Sequence, residues 1–139
     1  MLFWRPPEPA VSVPHIRVVA AEIERDGCYL ITQRRPEAAL PLLWEFPGGR
    51  VRDNESDGDA LRRTLHDRLG VGVQIGHRVL HVSHAYEGYT LDMVVYRCGI
   101  LGEPSGARVH KLVWARPEDF GQYKFPGADQ QTVDALLRE

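Results

Sequence analysis

The chain has 139 residues, 43% of them hydrophobic, and a formal net charge of −2. That length suits one domain able to bury a sizeable core, and the near-neutral charge gives no electrostatic case for duplex nucleic acid or an anionic membrane. No apolar run approaches the ~20 residues of a membrane span, and the N-terminus lacks the basic start and small-residue cleavage site of a secretory signal, so the expected location is the cytoplasm.

Residues 1–14 contain Pro6, Pro7, Pro9 and Pro14 behind an apolar tip of Leu2, Phe3 and Trp4. The segment reads as an extended arm, either packed on its own domain or binding a protein partner. From residue 15, IRVVAAEIE is rich in β-branched residues, Arg25-Asp26-Gly27 supplies a turn and CYLITQRR returns, which predicts a hairpin. Cys28 and Cys98 lie far apart without metal-ligand spacing and read as reduced core thiols. Residues 36–43 form a loop. Trp44 and Phe46 are expected in the core or a cleft wall, with Glu45 on the opposite face if this stretch is extended. Gly48-Gly49 then predicts a tight turn.

A helix follows. Ser56 suits its N-cap, and Asp59 three residues on resembles the partner in a capping box. Leu61, Leu65 and Leu69 define one buried face, and Gly70 is placed to end the helix. Residues 71–86 read as a long strand broken at Gly76, and Glu87-Gly88 turns the chain into a second strand, TLDMVVYRCGI. His77, His81 and His84 do not align on one face of a strand, and no Cys or nearby acid completes a zinc set, so zinc is not expected. A loop, the strand KLVWARPEDF ending in a turn, and a final helix complete the chain. Pro126 and Gly127 turn into that helix, Asp129 complements its dipole, and Val133, Leu136 and Leu137 form its apolar stripe.

Residues 43–71, LWEFPGGRVRDNESDGDALRRTLHDRLGV, resemble the Nudix box: Gly, five residues, Glu, seven residues, Arg-Glu-apolar-any-Glu-Glu-any-Gly-apolar. Gly49, Glu55, Arg63, Leu65, Gly70 and Val71 match in register. LWEFPGG resembles the version found in hydrolases of oxidised dGTP and of pyrimidine nucleotides. The resemblance implies an α+β fold, a Nudix-type α/β/α sandwich with a mixed, bent sheet between the box helix and the C-terminal helix. It covers residues 15–139 as a single domain and leaves residues 1–14 outside as a proline-rich arm. It implies hydrolysis of a nucleoside diphosphate linked to another group, with Mg²⁺ neutralising the phosphates. Gly49, Glu55 and Asp67 become the metal candidates and Glu55 and Asp67 the catalytic ones. Arg34 or Arg35, which the sequence does not separate, would lie near the phosphates, where a planar donor fork suits an oxyanion. Asp129 would contact the base, and Glu45 is a secondary candidate in the cleft.

The departures from the pattern weigh against hydrolysis. The three helix carboxylates fall at Thr64, Asp67 and Arg68, and a further acid, two positions beyond the loop glycine Gly106, falls at Arg108. Positions 63, 64, 67 and 68 share one helical face. Their side chains carry a formal +1 where the family pattern carries −2. Mg²⁺ requires oxygen ligands and charge compensation, so the cofactor is Mg²⁺ held weakly, or none. Thr64 has no basicity to activate water. The expectation is a degenerate Nudix-like domain with hydrolysis absent or much reduced. It would bind a nucleotide or other phosphate ligand through Arg34, Arg35, Arg63, Arg68 and Asp129, or serve regulation. Two alternatives stand beside it: an active pyrophosphohydrolase of ordinary or oxidised nucleoside triphosphates, and a protein-interaction scaffold. The duller reading of Arg68 is an ion pair with Asp67, Glu55 or Glu45.

Overall fold

β1 (His15–Glu22) runs through the middle of the molecule, and the other elements are placed by what each of its faces packs against. The computed structural model describes residues 13–138. β1 pairs antiparallel with β5 (Gly48–Arg50) and parallel with β7 (Tyr89–Leu101), and β7 pairs antiparallel with β6 (Gly72–Tyr86), giving a mixed sheet in the order β5-β1-β7-β6. A second sheet forms around β3 (Cys28–Gln33), which pairs with β2 (Glu24–Arg25), β4 (Trp44–Glu45) and β8 (Lys111–Ala115). Side chains alternate across a strand. Val19 and Ala21 therefore enter one core cluster with Leu61 and Leu65 of α1 (Asp57–Leu69). Ala20 enters the opposite cluster with Val133 and Leu136 of α2 (Gly127–Leu137). The expected α+β sandwich, with one helix on each side of a mixed sheet, is the observed one.

Local chemistry fixes α1 at both ends. The Ser56 Oγ accepts the Asp59 N–H at 3.1 Å, and Gly70, at φ 69°, donates its N–H to the His66 carbonyl at 3.0 Å. The Asp59 carboxylate takes the Arg62 guanidinium at 3.3 Å. Leu61, Leu65 and Leu69 are buried, each by about 1.5–3 kcal/mol of transfer free energy.

Four expectations change. The predicted hairpin is shorter: β1 stays in the first sheet, and only β2 pairs with β3, around Asp26 and Gly27 at φ 53° and 79°. Gly48 and Gly49 do not turn the chain. They lie within β5 and have negative φ, and they are small because of close approach. A Cβ on Gly48 would lie 1.9 Å from the Val19 carbonyl oxygen, and one on Gly49 would lie 2.7 Å from the Thr64 methyl. Leu137 is not in the apolar stripe of α2: it is the last residue of the helix and 53% exposed, beside the buried Leu136. Cys98 is buried, whereas Cys28 sits half-exposed at the start of β3; both are free thiols.

The long β6–β7 hairpin forms as expected, and its register shifts between Ile75 and Leu80 follow the break anticipated at Gly76. No helix among the described residues is long and apolar enough to cross a membrane. Residues 1–12 of the proline-rich arm, where a protein-partner contact was expected, lie outside the described residues.

Candidate functional site

A cavity of about 340 Å³ opens between the sheet and the start of α2, within the size range of small-molecule sites. Val18, Phe46, Leu91, Met93 and Ala128 give it apolar walls, and Asp129 is its innermost acid. Pro126 places Asp129 in the first turn of α2, where it is 8% exposed and accepts the Phe46 N–H at 3.2 Å. Burial, followed by the negative charge of Glu45, pushes the Asp129 carboxyl up to about 8. At neutral pH it is mostly protonated and offers one O–H donor beside its acceptor oxygens. Tyr86, which the sequence reading did not assign to the site, lines the same cavity. Its hydroxyl accepts the Ala128 N–H at 3.0 Å, and its ring stacks on Tyr89 at 5.1 Å. Its position at the end of β6, opposite the helix start, was the available signal.

Glu45 occupies the centre of the cleft. Its carboxylate accepts from Arg34 at 2.9 Å and from Arg68 at 3.4 Å. The structure therefore separates the two arginines that the sequence could not. Arg34 lines the apolar cavity and is braced by the Ala39 carbonyl at 2.6 Å. Arg35 turns towards the Ala107 carbonyl at 3.4 Å and lies 3.9 Å from Glu37. Of the three partners considered for Arg68, Glu45 is the one observed.

Beyond Arg68 the cleft widens into an open basin of about 1070 Å³. Arg63, Thr64, Asp67 and Arg68 all line it, as their helical spacing predicts. Arg17, Arg50 and Arg52 come from the opposite wall. Among the described residues no carboxylate bonds the guanidinium groups of Arg50 or Arg52.

Glu55 is tied at both oxygens. Arg63 bonds it twice, at 2.7 and 2.8 Å, and the Arg52 N–H donates at 3.0 Å. The Arg63 hydrogen bonds hold its carboxyl down at about 2. Thr64 is 4% exposed, and its hydroxyl donates to the Ala60 carbonyl at 2.7 Å, back into its own helix. Its methyl packs against Gly49. Asp67 is exposed, with the His66 ring nitrogen 3.7 Å away. Arg108 donates to the Asp67 backbone carbonyl at 3.1 Å, so the loop position expected to carry an acid does reach the box helix, but as a cation.

Mg²⁺ demands near-octahedral oxygen ligands. Here Glu55 is engaged by Arg63, the Thr64 hydroxyl faces its own helix, and Asp67 stands next to two arginines. Among the described residues, no three His, Cys, Asp or Glu side chains converge on a point where they could hold a metal ion. This donor set does not fit the ion. The histidines diverge as well. His81 bonds Asp92 at 3.2 Å, alongside His15 and Ser83, whereas His84 packs on Tyr86 and bonds Gln131.

The NUDIX domain family matches residues 18–135. The chain is 35% identical over 123 residues to the CTP pyrophosphohydrolase of Escherichia coli K12, covering 88% of this chain and 91% of that protein. It is 26% identical over 126 residues to the 8-oxo-dGTP diphosphatase of Haemophilus influenzae, covering 89% and 93% respectively. The solution structure of the E. coli ORF135 protein superposes with a TM-score of 0.80 at 33% identity, over 94% of each chain. The MutT protein of Methanosarcina mazei Go1 superposes with a TM-score of 0.82 at 19% identity over 93% of this chain and 97% of that one, a likeness of fold.

Proposed function

From membership of the NUDIX domain family, to which this chain belongs, we propose that it binds a nucleotide in the cleft, with Mg²⁺-dependent hydrolysis lost or much reduced. The base would sit in the apolar cavity against Phe46, with Asp129 as its polar contact, and the phosphates would run towards Arg34 and Arg68. The observation that carries the reading is the fate of the box helix face. Thr64 donates into its own helix and Arg68 is ion-paired to Glu45. A hydroxyl in that state cannot take a proton from water at neutral pH. Glu55, held near pKa 2 by a bidentate Arg63, is too weak a base to replace it. What remains is recognition: an apolar slot, a protonated buried acid and guanidinium groups that match phosphate geometry.

A second reading, an active pyrophosphohydrolase of nucleoside triphosphates, is favoured by the relatives. Two that align along most of the chain are named for hydrolysing CTP and 8-oxo-dGTP. The comparisons lend this reading more weight, and the donor set of the cleft lends more to the first. One experiment separates them: turnover of a dNTP and NTP panel including 8-oxo-dGTP, with Mg²⁺ and with Mn²⁺, beside a Glu55→Gln variant. Turnover that disappears in Glu55→Gln establishes the enzyme and sinks the first reading. No turnover, with nucleotide binding retained by calorimetry, supports the first reading. Loss of both leaves only the scaffold.

A further inference from the structure

Between the apolar cavity and the end of α1 lies a smaller pocket of about 150 Å³, lined by Arg34, Arg35, Arg68 and Arg108 around Glu45. We propose that this pocket takes the terminal phosphates of a nucleotide in metal-free form, so that Mg²⁺ opposes ligand binding. The inference rests on the nucleotide-binding reading above.

Four guanidinium groups face one carboxylate in this pocket, and the way they are held matters more than their number. Arg34 and Arg68 share Glu45, so one negative charge is divided between two cations. Arg35 and Arg108 are positioned largely by neutral backbone carbonyls, those of Ala107 and Asp67. A carbonyl orients a guanidinium without cancelling its charge, and the carboxylate nearest Arg35, that of Glu37, is 3.9 Å away and exposed. Each guanidinium has five N–H donors, and the bonds described use only one or two of them. The pocket is therefore preorganised, positively charged and rich in unused donors, the attributes of a phosphate site. Arg34 and Arg68 also line the apolar cavity, so a ligand seated there can reach the pocket.

The sign of the metal effect follows. Chelation by Mg²⁺ removes two charges from a polyphosphate and occupies oxygens that the arginines would otherwise bond. A carboxylate-lined cleft needs that ion to accept a polyphosphate, whereas an arginine-lined pocket competes with it. By linkage, whatever lowers the free polyphosphate concentration weakens binding to a site that prefers it uncomplexed.

Calorimetric titration of CTP, 8-oxo-dGTP and inorganic tripolyphosphate, in EDTA and in excess Mg²⁺ at matched ionic strength, tests this. The inference expects at least one of the two nucleotides to bind about threefold or more tightly in EDTA, and tripolyphosphate to bind in EDTA without a base. Arg68→Glu/Arg108→Glu should remove or reverse the Mg²⁺ effect. Arg108→Gln, a milder change at an exposed position, should weaken binding in EDTA by about tenfold, the scale of one charge-assisted hydrogen bond. Far-UV circular dichroism of both variants separates loss of the pocket from loss of the fold. Nucleotide binding that is equal or tighter in Mg²⁺ overturns the inference and leaves nucleotide recognition standing. Absence of binding by either nucleotide in both conditions overturns the nucleotide reading itself.

Discussion

At one end of the cleft Phe46 stacks on Phe125 at 5.8 Å and meets Phe120 edge-on at 6.1 Å, and the buried carboxyl beside these apolar walls, that of Asp129, is pushed towards neutrality. At the other end guanidinium groups, among them those of Arg17, Arg50, Arg52, Arg63, Arg68 and Arg108, line open basin or pocket walls. The first region is held by packing, with Arg34, Glu45 and Arg68 as charged side chains on the wall nearest the second. The second is held by ion pairs and carbonyl contacts and accumulates charge. Strand β5 borders both the apolar cavity and the basin, and its glycines let Val19 and Thr64 approach closely. The two ends draw on different elements: Phe46 and Phe120 belong to the cluster on the α2 side of the sheet, whereas Arg63, Thr64, Asp67 and Arg68 share one face of α1, so a change of charge on that face leaves the packed end untouched.

The largest expected effect comes from restoring the charge pattern. Thr64→Glu combined with Arg68→Glu returns two carboxylates to the basin wall. Where the fold is preserved, Mg²⁺-dependent nucleotide turnover should rise by about 10²–10⁴-fold, the usual worth of a positioned general base. A steady-state assay on the panel described above reads it. No rise over the parent would show that the charge of the helix face is not what limits hydrolysis.

Breaking the packed end should act on stability instead. Phe46→Ala removes a buried ring in contact with two others and should cost about 3–5 kcal/mol in equilibrium denaturation. A loss below about 1 kcal/mol would mean that the aromatic cluster collapses into the gap, and that the contrast between a packed end and a charged end is overstated.

Asp129 supplies a pH test of the same contrast. Its folded pKa of about 8 lies above the unfolded value of ~3.9. Between those values the folded chain holds a proton that the unfolded chain has released. This group's contribution is therefore fully present below about pH 4 and is lost as pH rises through about 8. Glu55 has the opposite sign. Its pKa is lowered, so its contribution is present above the ordinary carboxylate range and lost as pH falls towards 2. In Asp129→Asn the decline in Tm between pH 5 and 8 should flatten relative to the parent, while the amide oxygen can still accept the Phe46 N–H. Parallel Tm curves for the two proteins would place Asp129 in its charged form.

Most of the fold was legible because the signals were local. The Ser56 cap, the leucines spaced four apart, Gly70 and the Glu87-Gly88 turn each specify their own few residues. The misreadings were non-local. Gly48-Gly49 looks like a turn until the Val19 carbonyl and the Thr64 methyl are beside it. Leu137 fits the stripe of α2 by spacing, but as the helix's last residue it stays exposed beside the buried Leu136. In the cleft, helical spacing sufficed to put Arg63, Thr64, Asp67 and Arg68 on one wall. It could not say that Glu45 would bridge Arg34 and Arg68, because that bond joins residues 23 positions apart.

The smallest expected effect on stability, and the sharpest test of the contrast, is Arg68→Ala. The Arg68–Glu45 pair is long, at 3.4 Å, and the Arg68 side chain is 43% exposed, so the pair should contribute no more than about 0–1 kcal/mol. Removing Arg68 does not strand its partner, because Glu45 keeps the shorter bond to Arg34 at 2.9 Å. The variant should therefore denature within about 1 kcal/mol of the parent while losing affinity for tripolyphosphate. Arg63→Ala provides the counter-case, since Glu55 would then retain only the Arg52 N–H, and its acid-side stability should fall off at higher pH than in the parent. If Arg68→Ala instead unfolds the chain, the arginines at this end are structural braces, and the division between a packed half and a charged half fails.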